Sequence, residues 1–225
     1  MKKIAIYAIA AFASLASFTS CQLFGLDVQK KYDFDENAGI LSNELNMSVW
    51  EFVNSRPDLF STLIEAVKYT GLEDQYNQNN STYMVLTNAA FTSYLTRNPL
   101  PNPNFDPQDS IANPRFMPAF SIDQMPKEKI TQLLLYHMVK GAYSWHNLPP
   151  VPTWYDTNAA ADTAKVNLYL MKNDRFPTIG FNAFSTHYQN PVLARTTNLK
   201  ANNGSFVHVL DAYLDYPTRA ALTAR

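Results

Sequence analysis

The spacing of apolar residues after residue 47 predicts two helices at the start of a folded domain. Ser48 and Glu51 fit a capping box that opens a short helix, and a second helix is expected to start at Ser55. Gly71 is placed to end this second helix. Its apolar positions recur at the spacing of one helix face and are Leu59, Phe60, Leu63, Ile64 and Val67.

Strand-like and helical patterns alternate after this helix. Residues 83–86 form a short strand-like run, and Asn88 after it is placed to cap a third helix. Pro126 is expected to start a fourth helix, with Leu133 and Leu134 on its buried face.

The last part of the domain is expected to form strands. Apolar residues alternate with polar or aromatic ones around Val166 and Leu168, as in a half-buried strand. Asn203-Gly204 is a strong hairpin signal, and it joins strand-like runs over residues 196–199 and 206–210.

Prolines mark two stretches that are expected to be irregular. Six prolines within residues 98–125 exclude a regular helix or a central strand there. A second stretch, over residues 143–156, combines prolines with aromatic side chains. Long loops in a compact domain are usually functional or mobile, and the functional alternative makes both stretches candidates for ligand contact.

The first twenty residues have the pattern of an export signal. Lys2 and Lys3 precede an uncharged, mostly apolar run over residues 4–18, which is shorter than the roughly 20 residues of a membrane-spanning helix. The single cysteine, Cys21, follows directly. A lone Cys at this place resembles the lipobox of bacterial lipoproteins, although Phe18 stands where that motif usually has Leu.

This resemblance predicts a lipid-anchored protein. We expect a signal peptide over residues 1–20, acyl chains (palmitate among them) on Cys21, and a tether over residues 21–46. Gln22 rather than Asp follows the Cys, which by resemblance to Gram-negative sorting rules favours the outer membrane. The sequence leaves open which face of that membrane the domain occupies.

Composition and charge exclude several functional classes. A hydrophobic share of 46% can fill a core, whereas a net charge of −1 gives no electrostatic footprint for nucleic acid. The six glycines are too far apart for a phosphate-binding loop, and one Cys excludes an internal disulfide and a zinc–thiolate cluster. The four histidines show no metal-ligand spacing, so no metal and no cofactor are expected.

Three segments, in this order, resemble the motifs of the fasciclin domain family. They are Thr82-Tyr83-Met84-Val85-Leu86-Thr87-Asn88-Ala89-Ala90-Phe91, Leu133-Leu134-Leu135-Tyr136-His137 and Asn203-Gly204-Ser205-Phe206-Val207-His208-Val209-Leu210-Asp211. Leu86 departs from the family pattern, which has proline there. The resemblance implies an α+β fold over residues 47–217, a wedge-shaped β-sandwich of two small sheets with helices along one side.

The resemblance also implies where this chain differs from the family core. Residues 98–125 and 176–190 look longer than that core requires, so together with residues 143–156 they are expected to be insertions. Residues 218–225 are expected to be a C-terminal tail.

The resemblance implies an adhesion role for the pair Tyr136 and His137. The alternative is a buried pair whose polar atoms bond each other or nearby backbone, because the two residues end an apolar helix. His208 lies in an apolar strand, where a core histidine is expected over a ligand.

Four aromatic residues of the second Pro-rich stretch are candidates for contact with a sugar or an apolar protein surface. They are Tyr143, Trp145, Trp154 and Tyr155. The alternative is that both tryptophans fold back onto the sheets. Phe105, Phe116 and Phe120 in the first stretch allow the same two interpretations.

Two tripeptides are similar to an O-glycosylation signal used on exported proteins by a group of Gram-negative bacteria. They are Asp109-Ser110-Ile111 and Asp162-Thr163-Ala164, so Ser110 and Thr163 are candidate modification sites.

Two functional hypotheses follow from the sequence. The first is a membrane-anchored binding or adhesion lipoprotein whose fasciclin-like domain contacts a surface protein or glycan. The second is an accessory subunit of an outer-membrane complex for glycan or peptide uptake, placed against a transporter. An enzyme is not expected, because the sequence holds no G-x-S-x-G and no H-E-x-x-H motif.

Overall fold

The computed structural model describes residues 42–172, 177–184 and 191–223. The expected signal peptide, Cys21 and most of the expected tether lie outside these residues. All helices and strands given below belong to the compact unit formed by residues 43–225. Helices and several small sheets give the α+β fold that the sequence predicts.

Five α-helices occur in the described part of the chain. They are α1 (Val49–Ser55), α2 (Pro57–Thr70), α3 (Asn88–Arg97), α4 (Lys127–Tyr136) and α5 (Arg219–Thr223). Short 3-10 helices cover Glu73–Asn77 and Ile122–Gln124. Helix α2 packs against α1, α3 and α4, and both α2 and α3 contact the first strand.

The predicted start of α2 at Ser55 is wrong by two residues. Ser55 is the last residue of α1 and donates its hydroxyl to the Phe52 carbonyl at 2.7 Å. Pro57 disfavours helical angles for the residue before it, so Arg56 is not helical and separates α1 from α2. The predicted capping box of Ser48 and the stop at Gly71, with φ of 75°, are confirmed.

The first sheet has four strands in the order β4, β1, β10, β9. The strands are β1 (Ser81–Leu86), β4 (Met138–Lys140), β9 (Thr196–Lys200) and β10 (Phe206–Leu210). Strands β1 and β10 run parallel, and the two outer pairs are antiparallel. All of β1, and all of β10 except Phe206, is buried, because these central strands are covered on both faces.

The second sheet is antiparallel, in the order β5, β6, β7, β8. Its strands are β5 (Thr153–Asp156), β6 (Lys165–Met171), β7 (Thr178–Phe181) and β8 (Val192–Leu193). Phe181 and His208 bring the two sheets together, with ring centroids 6.1 Å apart. A separate two-stranded ladder pairs β2 (Leu100–Pro101) with β3 (Phe116–Met117) inside the first Pro-rich stretch.

Four predicted boundaries need correction. Residues 153–156 are strand β5, so the second Pro-rich stretch is not wholly irregular, and the expected insertion over residues 176–190 contains strand β7. The predicted tether ends early, because Leu45 donates its amide to the Lys200 carbonyl at 2.8 Å at the edge of β9. The predicted tail contains α5, which buries Ala221.

A bulge at Asn198 joins several parts of the fold. Asn198 has a φ of 65°, and the register of β9 with β10 shifts beside it. This geometry turns its amide toward His208, whose Nδ1 accepts the hydrogen bond at 3.1 Å. The Asn198 side-chain oxygen accepts from the Trp145 amide at 3.2 Å, and its carbonyl accepts from the Asn43 side chain at 2.7 Å.

Replacement of Asn198 by Val should therefore destabilise the domain by roughly 2–4 kcal/mol, because a β-branched residue is strained at positive φ and loses the side-chain bond. The matched variant Asn198→Gly keeps the backbone angle and should lose only about 1 kcal/mol. Urea unfolding followed by circular dichroism measures both. Equal losses for Val and Gly would contradict the requirement for positive φ.

Candidate functional site

The Tyr136–His137 pair lies at the end of α4, where the helix turns into β4. Both side chains are buried, with exposed fractions of 0% and 2%. Their rings meet edge to face, with centroids 5.6 Å apart. Neither side chain reaches the surface to contact a partner directly.

The His137 ring binds the backbone at both nitrogens. The Leu214 amide lies 3.0 Å from Nε2 and can only donate, so Nε2 accepts and Nδ1 carries the proton. That proton is donated to the Leu133 carbonyl at 2.7 Å. Burial lowers the pKa of His137 to about 4, so the ring is neutral near pH 7.

Tyr136 contacts Asp215 and Tyr216, the two residues that follow Leu214 in the C-terminal segment. Its hydroxyl lies 3.0 Å from the Lys165 carbonyl and 3.1 Å from the Asp215 carbonyl, and accepts from the Asn182 side chain at 3.2 Å. The ring of Tyr216 stacks on Tyr136 with centroids 4.1 Å apart. The pair thus holds residues 214–216 against the end of α4.

These fastened residues form one wall of a cavity of about 400 Å³. The other walls come from the C-terminal part of α3 and from one side of α4. Its apolar lining consists of Tyr94, Leu133, Tyr213, Leu214 and Tyr216. Its polar lining consists of Asn98, Glu128, Lys129, Gln132 and Asp215.

The model of the fasciclin domain matches residues 58–217, which is most of the chain. This chain belongs to the fasciclin domain family. The match includes the end of α4, the cavity walls and both central strands.

One solved structure shows the fold of the fasciclin domain at low sequence identity. It is a FAS1 domain pair from the insect cell adhesion molecule fasciclin I, similar with a TM-score of 0.50 and 15% identity. The likeness covers 75% of this chain and 51% of that chain, so this chain spans about half the length of the pair. Among curated proteins, the sequence finds no match.

The aromatic residues of stretch 143–156 are half-buried rather than fully exposed. Tyr143 and Tyr155 contact each other with centroids 4.3 Å apart, and Trp154 lies 5.3 Å from Phe184. Trp145 packs against the core, and its indole N–H is buried with no hydrogen-bond partner in the described part of the chain. The structure therefore places these rings on the domain and not at the tip of a projecting loop.

His208 is a core residue held in the same way as His137. Its Nδ1 accepts from the Asn198 amide, so its Nε2 proton is donated to the Tyr143 carbonyl at 3.1 Å. Burial lowers the pKa of His208 to about 4.

Asn88 has a different role from the predicted helix cap. Thr87 occupies the cap position, and its hydroxyl donates to the Asp211 carboxylate at 2.8 Å instead of capping α3. The Asn88 side chain accepts from the Thr62 amide at 3.0 Å and donates to the Asp58 carbonyl at 3.2 Å. It therefore ties α3 to α2.

The remaining candidates are loop residues. Ser110 is exposed in the first Pro-rich stretch, and Thr163 is half-buried in the loop between β5 and β6. In the described ranges, no group of three His, Cys, Asp or Glu residues is placed to hold a metal ion. No helix of these ranges is long and apolar enough to span a membrane.

The low pKa of His137 predicts a pH-dependent stability. In the unfolded chain His137 binds a proton below about pH 6.5, whereas in the folded chain it stays neutral down to about pH 4. The free energy of unfolding therefore decreases as the pH is lowered from 6.5 to 4. His137→Gln should remove about 2 kcal/mol of the loss between pH 7 and pH 5, measured by urea unfolding at each pH.

The exposed His146 supplies the control for this experiment. His146→Gln should keep the pH profile of the unchanged protein. A His137→Gln variant with that same profile would contradict the neutral, buried state assigned to the ring.

Proposed function

We propose that this chain is a membrane-anchored adhesion lipoprotein whose fasciclin domain binds a partner protein through the first Pro-rich stretch. The observation that supports this most strongly is a set of exposed apolar side chains within that one stretch, called the insertion face below. Its members are Phe105, Ile111, Phe116, Met117 and Phe120.

The insertion face holds most of the exposed large apolar side chains of the described residues. Five of seven such side chains belong to it, and the other two are Val151 and Leu193. Ile111 is 96% exposed and Phe120 is 76% exposed. Several exposed apolar side chains in one short segment favour an interaction surface, whereas isolated ones need no explanation.

Local hydrogen bonds hold the insertion face in shape. Strands β2 and β3 pair Leu100 with Met117, and the Asn102 side chain donates to the Pro114 carbonyl at 2.9 Å. Ile122 and Met125, just beyond, are buried in the core. A face that is ordered before binding loses less entropy on contact with a partner.

A shallow groove of about 290 Å³ lies beside these side chains. It is lined by Leu100, Pro101, Pro103, Met117, Pro118, Phe120 and Gln124. Six of these seven residues are apolar, so a protein surface with an apolar side chain to insert fits better than a charged ligand.

The similarity to a FAS1 domain pair from a cell adhesion molecule supports the adhesion part of the proposal. Membrane anchoring rests on the sequence alone, on the export signal and the single Cys21 after it. The outer membrane is the proposed location, because Gln22 follows the Cys.

Catalysis is not part of the proposal. Each ring nitrogen of His137 and His208 is already engaged in a hydrogen bond in the core. Neither imidazole is therefore accessible as a general base for a bound substrate.

The insertion face should be required for attachment. In cells displaying the full chain, the double variant Phe116→Ser with Phe120→Ser should lose attachment at least roughly tenfold, because anchoring aromatics each contribute about 2 kcal/mol or more. Attachment is counted in a flow chamber at equal surface expression, with Val151→Ser plus Leu193→Ser as the matched control.

Two other outcomes would change the proposed contact surface or the proposed role. Unchanged attachment in the Phe116/Phe120 variant, with loss in Trp145→Ala plus Trp154→Ala, would move the contact to stretch 143–156. Stoichiometric copurification with an outer-membrane transporter in detergent would instead favour the accessory-subunit role in nutrient uptake.

Lipid attachment has its own test. Cys21→Ala should abolish incorporation of alkyne-labelled palmitate and shift the protein out of the membrane fraction, because Cys21 is the only cysteine. Ser20→Ala keeps a small residue before the Cys and should stay labelled. Labelling that persists in Cys21→Ala would refute the anchor.

A further inference from the structure

We propose that the cavity between α3, α4 and residues 213–216 binds a neutral sugar ring of a glycan. This site goes beyond the proposed function and shares no lining residue with the groove of the insertion face. Three features support it: a fixed aromatic platform, a rim of mixed charge, and the size of the cavity.

Tyr216 supplies the platform. One face of its ring stacks on the buried Tyr136, with an interplanar angle of 20°, and its hydroxyl donates to the Gln132 carbonyl at 3.2 Å. The ring is half-buried and lines the cavity, so the part that Tyr136 does not cover can contact a ligand. An aromatic face carries partial negative charge and attracts the weakly positive C–H groups of a sugar ring.

A second pair of tyrosines, one from α3 and one from residues 213–216, also lines the cavity. Tyr94 and Tyr213 meet edge to face at 5.1 Å, with an interplanar angle of 87°, and the guanidinium of Arg97 lies 5.7 Å from the Tyr213 ring centroid. These contacts fix the Tyr94 and Tyr213 rings in place. A wall that does not rearrange on binding lowers the entropy cost of complex formation.

The rim presents both signs of charge. Glu128 and Lys129 are exposed on α4, Asp215 lies opposite on the C-terminal segment, and the rim also includes the carboxamides of Asn98 and Gln132. Sugar hydroxyls donate to carboxylates and accept from ammonium and amide groups, so the rim offers both kinds of hydrogen-bond partner to a neutral ligand. The two carboxylates disfavour an anion at this rim.

The size of the cavity agrees with this ligand class. Its volume of about 400 Å³ lies toward the low end of the range for small-molecule sites, which is about 300–1,000 Å³. A site of this size accommodates one or two sugar rings, with the rest of the glycan in solvent.

Saturation-transfer NMR on the full protein, purified in a detergent without a sugar headgroup, tests the proposal. The probes are neutral maltotriose, cellotriose, mannotriose and xylotriose, with anionic trigalacturonate and cationic glucosamine trimer for comparison. At least one neutral probe should bind with a Kd of about 1 mM or tighter. Tyr216→Ala should weaken it roughly tenfold or more, and Glu128→Gln severalfold.

Phe120→Ser separates this claim from the proposed function. It should leave sugar binding unchanged even where attachment of cells is lost. Glu128 and Lys129 are both exposed, so their replacement should not prevent folding. If Tyr216→Ala fails to fold, the sugar affinities of Glu128→Gln and Lys129→Gln test the proposal instead. Failure of all four neutral probes to bind, tighter binding of a charged probe, or unchanged affinity in the cavity variants that fold would each overturn the assignment.

Discussion

The hydrogen bond from the Leu214 amide to the His137 ring joins the end of the domain to its middle. It exists only while Nε2 keeps its lone pair, so it requires a neutral imidazole in a dry environment. Tyr136 adds a bond to the Asp215 carbonyl and a stacked contact with Tyr216. Together these contacts hold the C-terminal segment where it forms a cavity wall.

The position of this bond gives a buried motif a route by which it could affect the proposed sugar site. Tyr136 and His137 do not touch solvent, yet both fix the residues that line the cavity. A substitution of Tyr136 or His137 would loosen the C-terminal segment that lines the cavity, without removing any exposed side chain. Loss of binding in such a variant would therefore be indirect, through the shape of the cavity.

Local signals in the sequence predict much of the fold. The capping box at Ser48, the helix stop at Gly71 and the Asn203-Gly204 hairpin each depend on residues close together in the chain, and each is confirmed. Strand β7 is not predicted from its own sequence, because it has only four residues, one of them Gly180, and depends on pairing with β6 and β8. The sequence predicts Asn88 as a helix cap from its residue type and position. Its observed contact with Thr62 could not be predicted, because that contact depends on how α2 and α3 pack.

For the candidate sites too, features set by the local sequence can be predicted, and features set by tertiary packing cannot. The sequence identified the first Pro-rich stretch as a candidate, because prolines exclude regular structure in a recognisable way. It did not reveal the cavity, whose tyrosines at positions 94, 213 and 216 come together only when the chain end docks on α4. No periodic pattern connects residues so far apart.

The state of the His137 ring is the most direct measure of whether this docking organises the domain. Nitrogen NMR at pH 6 reports the ring tautomer, and hydrogen exchange in the same sample reports protection of the Leu214 amide. We expect a neutral ring with its proton on Nδ1 and a Leu214 amide protected as strongly as those of β1 and β10. A protonated ring, a proton on Nε2, or a Leu214 amide exchanging as fast as an exposed loop would contradict the account.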